Sequence, residues 1–68
     1  MNALFIIAQN SYQYFEYETP KRILEQAGIK VTTASKEKGL ARSTIGSVTP
    51  ATLCLKEVDV HNFDIIVN

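Results

Sequence analysis

The chain has 68 residues, with seven Lys and Arg against seven Asp and Glu, and 46% of its residues are hydrophobic. This balanced charge lacks the basic footprint of a protein that binds nucleic acid or an acidic membrane, so we expect neither partner. One cysteine and one histidine exclude an internal disulfide and a zinc site, and no cofactor or metal is predicted. The length suits one small domain, residues 1–68, that buries about 60% of the surface of its unfolded chain.

The first apolar run, ALFIIA at residues 3–8, shows no alternation and is typical of a strand buried on both faces of a parallel sheet. It follows no basic segment and is too short for a signal peptide or a membrane span, so we expect a soluble, cytoplasmic protein. The polar residues QNSYQ then indicate a turn. Gln9 and Asn10 lie where parallel strands bind ligands, but the loop has no glycine and matches no nucleotide-binding motif.

A helical period runs from residue 14 to residue 27, with Glu18 and Arg22 as a favourable i,i+4 ion pair. Pro20 leaves two alternatives. The helix begins near Pro20 with Thr19 as its N-cap, or Pro20 lies within an early turn and bends it. Gly28 is the expected C-cap.

One glutamate interrupts an apolar row within SYQYFEYETPKRI, residues 11–23. If this stretch is helical, one face carries Tyr12, Glu16, Pro20, Ile23 or Leu24, and Ala27. Glu16 is then either a solvated carboxylate favoured by the helix macrodipole or an acid held among apolar groups. Desolvation favours a protonated carboxyl, which can donate a hydrogen bond to a neighbouring thiolate or developing anion. We expect Glu16 to be buried or to face an interface.

The second half of the chain predicts two further strands separated by an excursion. IKVTTAS, residues 29–35, is β-branched and completes a βαβ unit with a right-handed crossover. KEKG at 36–39 indicates a charged turn, LARSTIGSVTP a short hairpin or irregular excursion, and TLCLKEVDVHNF one or two short turns. FDIIVN at 63–68 is expected to be a third buried strand.

The predicted fold is therefore α/β: strand, helix, strand, short hairpin excursion, strand. Its single substantial helix can cover one face of a parallel sheet, and we expect the other face to be bare. The chain has the organisation of the opening portion of a larger α/β domain.

Three segments together resemble the N-terminal portion of the ThiJ/PfpI family, also called the DJ-one family, of the class I glutamine-amidotransferase-like superfamily. They are the apolar strand that leads into a loop with a Glu four residues before a Pro, here Glu16 and Pro20, then ILEQAGIKVTTAS, then LKEVDVHNFDIIV. The resemblance runs along all 68 residues and covers well under half of a family domain. It implies a partial flavodoxin-like parallel sheet.

The resemblance also implies a cysteine enzyme. Family members carry a reactive cysteine at a later strand-to-helix elbow, and a Gly-Gly motif follows the strand that FDIIV resembles. Reported activities are protease or amidase hydrolysis, glyoxalase and deglycase chemistry, and chaperone-like protection. The family glutamate that aligns with Glu16 approaches and tunes the cysteine, so Glu16 is the predicted catalytic residue. The Gly-Gly motif, the elbow cysteine and its histidine are not among the 68 residues, which implies that the chain alone is inactive.

The remaining candidate residues have simpler interpretations. Cys54 precedes the third strand, so it is not the elbow cysteine and we expect a half-buried structural thiol. His61 is expected to be a surface turn residue. Tyr12, Tyr14 and Tyr17 are expected to pack against the sheet or a partner chain.

Three functional hypotheses follow. The first is an N-terminal fragment of a cysteine enzyme that needs a complementing C-terminal segment. The second is an interaction module that pairs its bare sheet edge with a second copy or another protein, as a homo-oligomer or a completed complex. The third is a degenerate response-receiver domain, which AQN after the first strand and Asn68 at the end of the third disfavour, because receivers need acidic residues there.

Overall fold

The computed structural model describes all 68 residues and arranges them as seven strands and one α-helix. The strands are β1 (Asn2–Ile6), β2 (Asn10–Tyr12), β3 (Lys30–Ser35), β4 (Gly39–Ser43), β5 (Val48–Ala51), β6 (Leu53–Cys54) and β7 (Ile65–Val67). The helix α1 spans Tyr14–Gln26, and two single-turn 3-10 helices, Leu55–Glu57 and Val60–Asn62, connect β6 to β7. The predicted α/β order is confirmed, with two short strands, β2 and β6, added to it.

The main sheet is parallel throughout, in the order β6-β3-β1-β7. Its central strand β1 buries Ala3, Leu4 and Phe5 to 1% exposure or less, as the continuous apolar run predicts. Successive side chains of a strand point to opposite faces, so Leu4 lies on the face opposite Phe5. The expectation that this second face is bare is therefore wrong at its centre, although Ile66, level with Leu4 on β7, is 45% exposed.

The directions of the two crossover connections in the main sheet explain why the face that carries Leu4 is covered. The chain moves from β1 to β3 through α1 and, in the opposite direction across the sheet, from β6 to β7 through residues 55–64. Right-handed crossovers that run in opposite directions lie on opposite faces of a parallel sheet. The irregular segment 55–64 thus passes over the face that α1 leaves open.

The helix packs on the face of the sheet that carries Ala3 and Phe5. Tyr17 is its one buried residue, at 3% exposure, and its ring meets Phe5 edge-on with centroids 5.6 Å apart. The Tyr17 hydroxyl shares a hydrogen bond of 2.8 Å with the Thr33 hydroxyl of β3. Half-buried side chains complete this core: Ile7, Leu24, Ile29, Val31, Ile65 and Val67.

The start of α1 resolves the alternatives that Pro20 left open. The helix begins at Tyr14, with Gln13 as an N-cap whose side chain makes no capping hydrogen bond, and Pro20 lies within it. The alternative with Thr19 as N-cap is therefore wrong. Because Pro20 has no N–H, the carbonyl of Glu16 lacks the donor that an α-helix normally supplies four residues later.

The end of α1 is a Schellman motif. Ala27 is the C-cap, one residue before the predicted cap Gly28, which follows it at φ +82°. The Gly28 N–H donates to the Glu25 carbonyl and the Ile29 N–H to the Leu24 carbonyl, both at 3.0 Å. This pattern satisfies two of the last helical carbonyls and turns the chain into β3.

A second sheet, in the order β2-β4-β5, lies beside the first. The antiparallel pair β4 and β5 confirms the predicted hairpin excursion. The prediction of a turn over QNSYQ is wrong for Asn10–Tyr12, which forms β2 and pairs in parallel with β4 across a register irregularity. Polar composition indicates a turn locally, but here the free edge of the distant hairpin supplies hydrogen-bond partners to this segment.

The third predicted strand of the main sheet forms as β7, but it is shorter and less buried than expected. It comprises Ile65–Val67 and is half-buried, because it lies at the edge of the sheet with β1 as its only partner strand. No helix of the chain combines the length and the apolar character that a membrane crossing requires.

Candidate active site

A cavity of about 340 Å³ lies at the carboxyl ends of β1 and β7, where parallel sheets bind ligands. Seven of its eleven lining residues are hydrophobic, and Glu16 supplies the only charged side chain among them. The walls come from the end of β1, from the connection between β1 and α1, and from Val67 and Asn68 at the end of β7. The cavity therefore presents a single carboxylate on a mainly apolar surface.

Glu16 is the third residue of α1, in the first turn, where a carboxylate interacts favourably with the helix dipole. Its side chain is exposed, so the alternative of a buried acid is wrong for these 68 residues, and that of an acid facing an interface stays a prediction. The apolar row that motivated this expectation does not exist as one helix face, because Tyr12 belongs to β2. Of the two alternatives Ile23 and Leu24, Leu24 packs against the core and Ile23 is 60% exposed. The carboxylate nonetheless lines the cavity.

The neighbouring residue Tyr17 anchors the backbone at Glu16. The Tyr17 ring packs edge-on against Phe5 and, at 5.5 Å between centroids, against Tyr12, and its hydroxyl is bonded to Thr33. These contacts join the first turn of α1 to β1, β2 and β3. Because Glu16 precedes Tyr17 directly, the same contacts fix the position from which its carboxylate reaches the cavity.

Ser11 is a lining residue that the sequence reasoning missed. Its φ of +63° lies in the left-handed region, which few residues other than glycine adopt. No sequence signal marks this conformation, since serine is also an ordinary turn residue. The strained residue sits in β2, between the carboxyl end of β1 and the start of α1.

Gln9 anchors this connection rather than lining the cavity. Its side-chain amide donates to the Leu40 carbonyl at 3.0 Å, and its side-chain oxygen accepts from the Glu37 N–H at 2.9 Å. Its backbone carbonyl accepts from the Arg42 N–H at 2.9 Å. The sequence position of Gln9 and Asn10 at a strand end suggested a ligand site, but neither residue lines the cavity.

Cys54 lies on β6, half-buried and outside the cavity, at the place expected for a structural thiol. Its backbone N–H donates to Glu57 Oε1 at 3.1 Å, and Glu57 Oε2 lies 2.8 Å from Lys38 Nζ. The side-chain hydrogen bond from Lys38, together with the hydrogen bonds from Cys54, lowers the pKa of Glu57 to about 2 from an ordinary 4.5. The same bond with Glu57 raises the pKa of Lys38. This pair ties the charged 36–39 turn to the end of β6.

The other candidate residues lie apart from the cavity or pack within the fold. His61 is a surface residue, with Nδ1 3.1 Å from Asp59 Oδ1 and a side chain that is 92% exposed. Tyr12 and Tyr17 are buried in the core, whereas Tyr14 packs against Phe15 on the outer side of α1. No three His, Cys, Asp or Glu side chains cluster as metal ligands would.

Comparison with known proteins adds the family context. The model of the DJ-1/PfpI family matches residues 1–67. The crystal structure of a ThiJ/PfpI domain protein from Brachyspira murdochii is similar, with a TM-score of 0.91 and 34% sequence identity. The match covers 96% of this chain and 38% of that one, so the chain spans well under half the length of this relative. Comparison with curated proteins gives no match.

The partial flavodoxin-like fold and the family match thus agree with the resemblance to the ThiJ/PfpI family. They favour this family over the alternative of a degenerate receiver domain. With a family match that extends over residues 1–67, the chain belongs to the DJ-1/PfpI family.

Proposed function

We propose that the chain is the N-terminal part of a cysteine-dependent ThiJ/PfpI-type enzyme, a hydrolase or a glyoxalase or deglycase, and that Glu16 is its contribution to catalysis. The observation that carries the proposal is the position of Glu16, the only charged side chain in the cavity at the carboxyl ends of β1 and β7. The nucleophile is supplied by a segment outside the 68 residues, and the chain alone is inactive.

The chemistry of the cavity supports a positioning and proton-donating role. A segment that closes the apolar walls would remove water from around the Glu16 carboxyl and favour its protonated form. A protonated carboxyl can then donate a hydrogen bond to a thiolate and hold it in its reactive state. Anchoring by Tyr17 means that the backbone carrying the carboxyl is in place before the nucleophile arrives, which lowers the cost of organising the site.

Complementation tests the proposal. The chain is assayed alone and after mixing with the C-terminal part of the Brachyspira murdochii protein, which begins where the matched segment ends. Glyoxal consumption and cleavage of a fluorogenic peptide amide report the two reaction classes. We expect no turnover by the isolated chain and turnover by the reconstituted domain. Turnover by the isolated chain would refute the proposal.

A pair of matched variants isolates the role of Glu16. Glu16→Gln keeps the shape of the side chain but removes its acid, and in the reconstituted domain we expect kcat to fall roughly 100-fold. Glu25→Gln makes the same change at an exposed position of the same helix, away from the cavity, and should leave kcat unchanged. Equal activity of the two variants would remove Glu16 from the mechanism while leaving the enzyme class intact.

A second candidate function is a non-catalytic module that is completed by a partner. The half-buried edge strand β7, with Ile66 45% exposed, favours it, because an unpaired strand edge is a template for pairing with another chain. Amide hydrogen exchange across β7 distinguishes the two functions. Protection by the complement without any turnover would favour the module.

A further inference from the structure

The connection from β1 to α1 carries the one residue with positive φ that is not a glycine. Ser11 has a φ of +63°, whereas the other residues in this region are Gly28, Gly39 and Gly46. The Cβ of a serine in this conformation crowds the following carbonyl oxygen, and a glycine would avoid that crowding. The side chain at position 11 is therefore kept at a cost in stability, as is frequent for residues at functional sites.

A bulge between β2 and β4 imposes this conformation. Asn10 is level with Arg42 and Tyr12 with Ser43, so three residues of β2 lie opposite two residues of β4. Ser11 is the extra residue. Tyr12, which follows it, is buried at 4% exposure and fixes the far side of the bulge. Bulges of this kind change the direction of a side chain and are over-represented next to active sites.

The wall of the cavity contains two polar side chains from this connection that have no hydrogen-bond partner in the chain. They belong to Ser11 and Gln13, which line the cavity and are both exposed. Gln13 is the N-cap of α1, but its side chain makes no capping hydrogen bond. The hydroxyls of Tyr12 and Tyr17, two other lining residues, are by contrast each bonded to a threonine. The serine hydroxyl and the glutamine amide are thus available to a ligand.

We propose that Ser11 and Gln13 form the substrate-binding pair of the cavity and hydrogen-bond a neutral oxygen of the substrate beside the Glu16 carboxyl. This inference rests on the proposed function and adds substrate recognition to it. Both side chains are uncharged, and each can donate and accept a hydrogen bond. No cation lines the cavity, and an anion buried without a counter-charge is costly. The bound oxygen therefore belongs to a carbonyl, amide or hydroxyl group and not to a carboxylate or phosphate.

The assignment divides binding and chemistry between neighbouring elements. Ser11 and Gln13 lie before and at the start of α1 and contact a part of the substrate that does not react. A hydrogen bond of this kind is made equally in the ground state and the transition state, so its loss raises KM and leaves kcat unchanged. Loss of the acid at Glu16 instead lowers kcat. The two roles thus have different kinetic signatures.

Steady-state kinetics of the domain reconstituted with the Brachyspira murdochii C-terminal part test the assignment. We expect Ser11→Ala and Gln13→Ala each to raise KM about 3–10-fold, the effect of one hydrogen bond between uncharged groups, with kcat unchanged. Ser47→Ala removes a serine hydroxyl from the turn between β4 and β5, outside the cavity, and should change neither constant.

Urea unfolding of the isolated chain separates binding from backbone strain. Ser11→Gly lacks the hydroxyl but relieves the strain, so it should unfold at a higher urea concentration than Ser11→Ala while raising KM equally. A KM increase in Ser11→Ala that Ser11→Gly does not share would refute the proposal, because strain would then be its source. Unchanged KM of an active domain in Ser11→Ala or Gln13→Ala would refute this inference alone. Absence of turnover by the wild-type reconstituted domain would refute the proposed function and this inference with it.

Discussion

The buried hydroxyl pair of Tyr17 and Thr33 provides a quantitative test of what anchors α1. Tyr17 is 3% exposed and Thr33 7%, and their oxygens lie 2.8 Å apart. Tyr17→Phe removes one hydroxyl without changing the ring contacts with Phe5 and Tyr12. It leaves the Thr33 hydroxyl buried without this partner.

The expected destabilisation follows from that loss. A buried polar group left without its partner costs about 1–3 kcal/mol, so Tyr17→Phe should lower the free energy of unfolding by about 2 kcal/mol. Thr33→Val, which leaves the tyrosine hydroxyl unpaired, should cost a similar amount. The double variant removes both polar groups, so its loss should fall short of the sum of the two by about 1–2 kcal/mol.

Urea unfolding followed by far-UV circular dichroism measures these free energies, and thermal unfolding should show a shift of roughly 8–16 °C for each single variant. The pair of Tyr12 and Thr49 is a matched control, with oxygens 2.6 Å apart but with Thr49 only half-buried. Water can replace the lost partner there, so Tyr12→Phe should cost about 0.5–1 kcal/mol. Additive losses for Tyr17→Phe and Thr33→Val would refute the reasoning.

Two further predictions concern the backbone and the surface. Gly28→Ala should destabilise the chain by about 1 kcal/mol in urea unfolding, because φ is +82° and the strain is confined to the backbone, with no atom within 4 Å of an added Cβ. Gly28→Asn should recover part of that loss, because Asn tolerates this conformation better than Ala. Equal stability of the alanine variant and the wild type would contradict the assigned backbone strain. The lowered pKa of Glu57 predicts a stabilising contribution that is fully present above pH 4.5 and is lost as the pH falls through about 2. Across this range the free energy of unfolding should depend less on pH in Glu57→Gln than in the wild type. If the pH profiles of the two proteins run parallel, the Lys38–Glu57 pair is not the source of the pH dependence.

Much of the fold could be predicted because its signals are local. The run at 3–8 identifies the central strand, Gly28 identifies the helix end, and the β-branched residues after it identify β3. The missed strands, β2 and β6, are two or three residues long and exist through partners distant in sequence. Helix capping failed as a signal for the start of α1, because Gln13 makes no side-chain capping hydrogen bond.

The site was predictable in position but not in detail. The carboxyl end of a buried strand indicates where a cavity opens, and the resemblance selects Glu16 within it. The positive φ of Ser11 and the hydrogen bonds of Gln9 to the 36–40 turn depend on chain segments about 30 residues away, and no local pattern carries them. The predicted apolar row around Glu16 is wrong because it requires a helix that includes Tyr12. Tyr12 instead belongs to β2.

The placement of Glu16 and the burial of Glu16 have different physical sources. The backbone position of Glu16 is set by its neighbour Tyr17, whose contacts with Phe5, Tyr12 and Thr33 are all made within the 68 residues. Its burial requires atoms on the open side of the cavity, which no part of this chain provides. Under the proposed function, a carboxylate on an anchored backbone that is still hydrated suits a preorganised half-site, because a water-accessible acid is stable until a second segment displaces that water. Loss of the Tyr17 anchor should therefore impair catalysis in a completed domain even when Glu16 itself is unchanged.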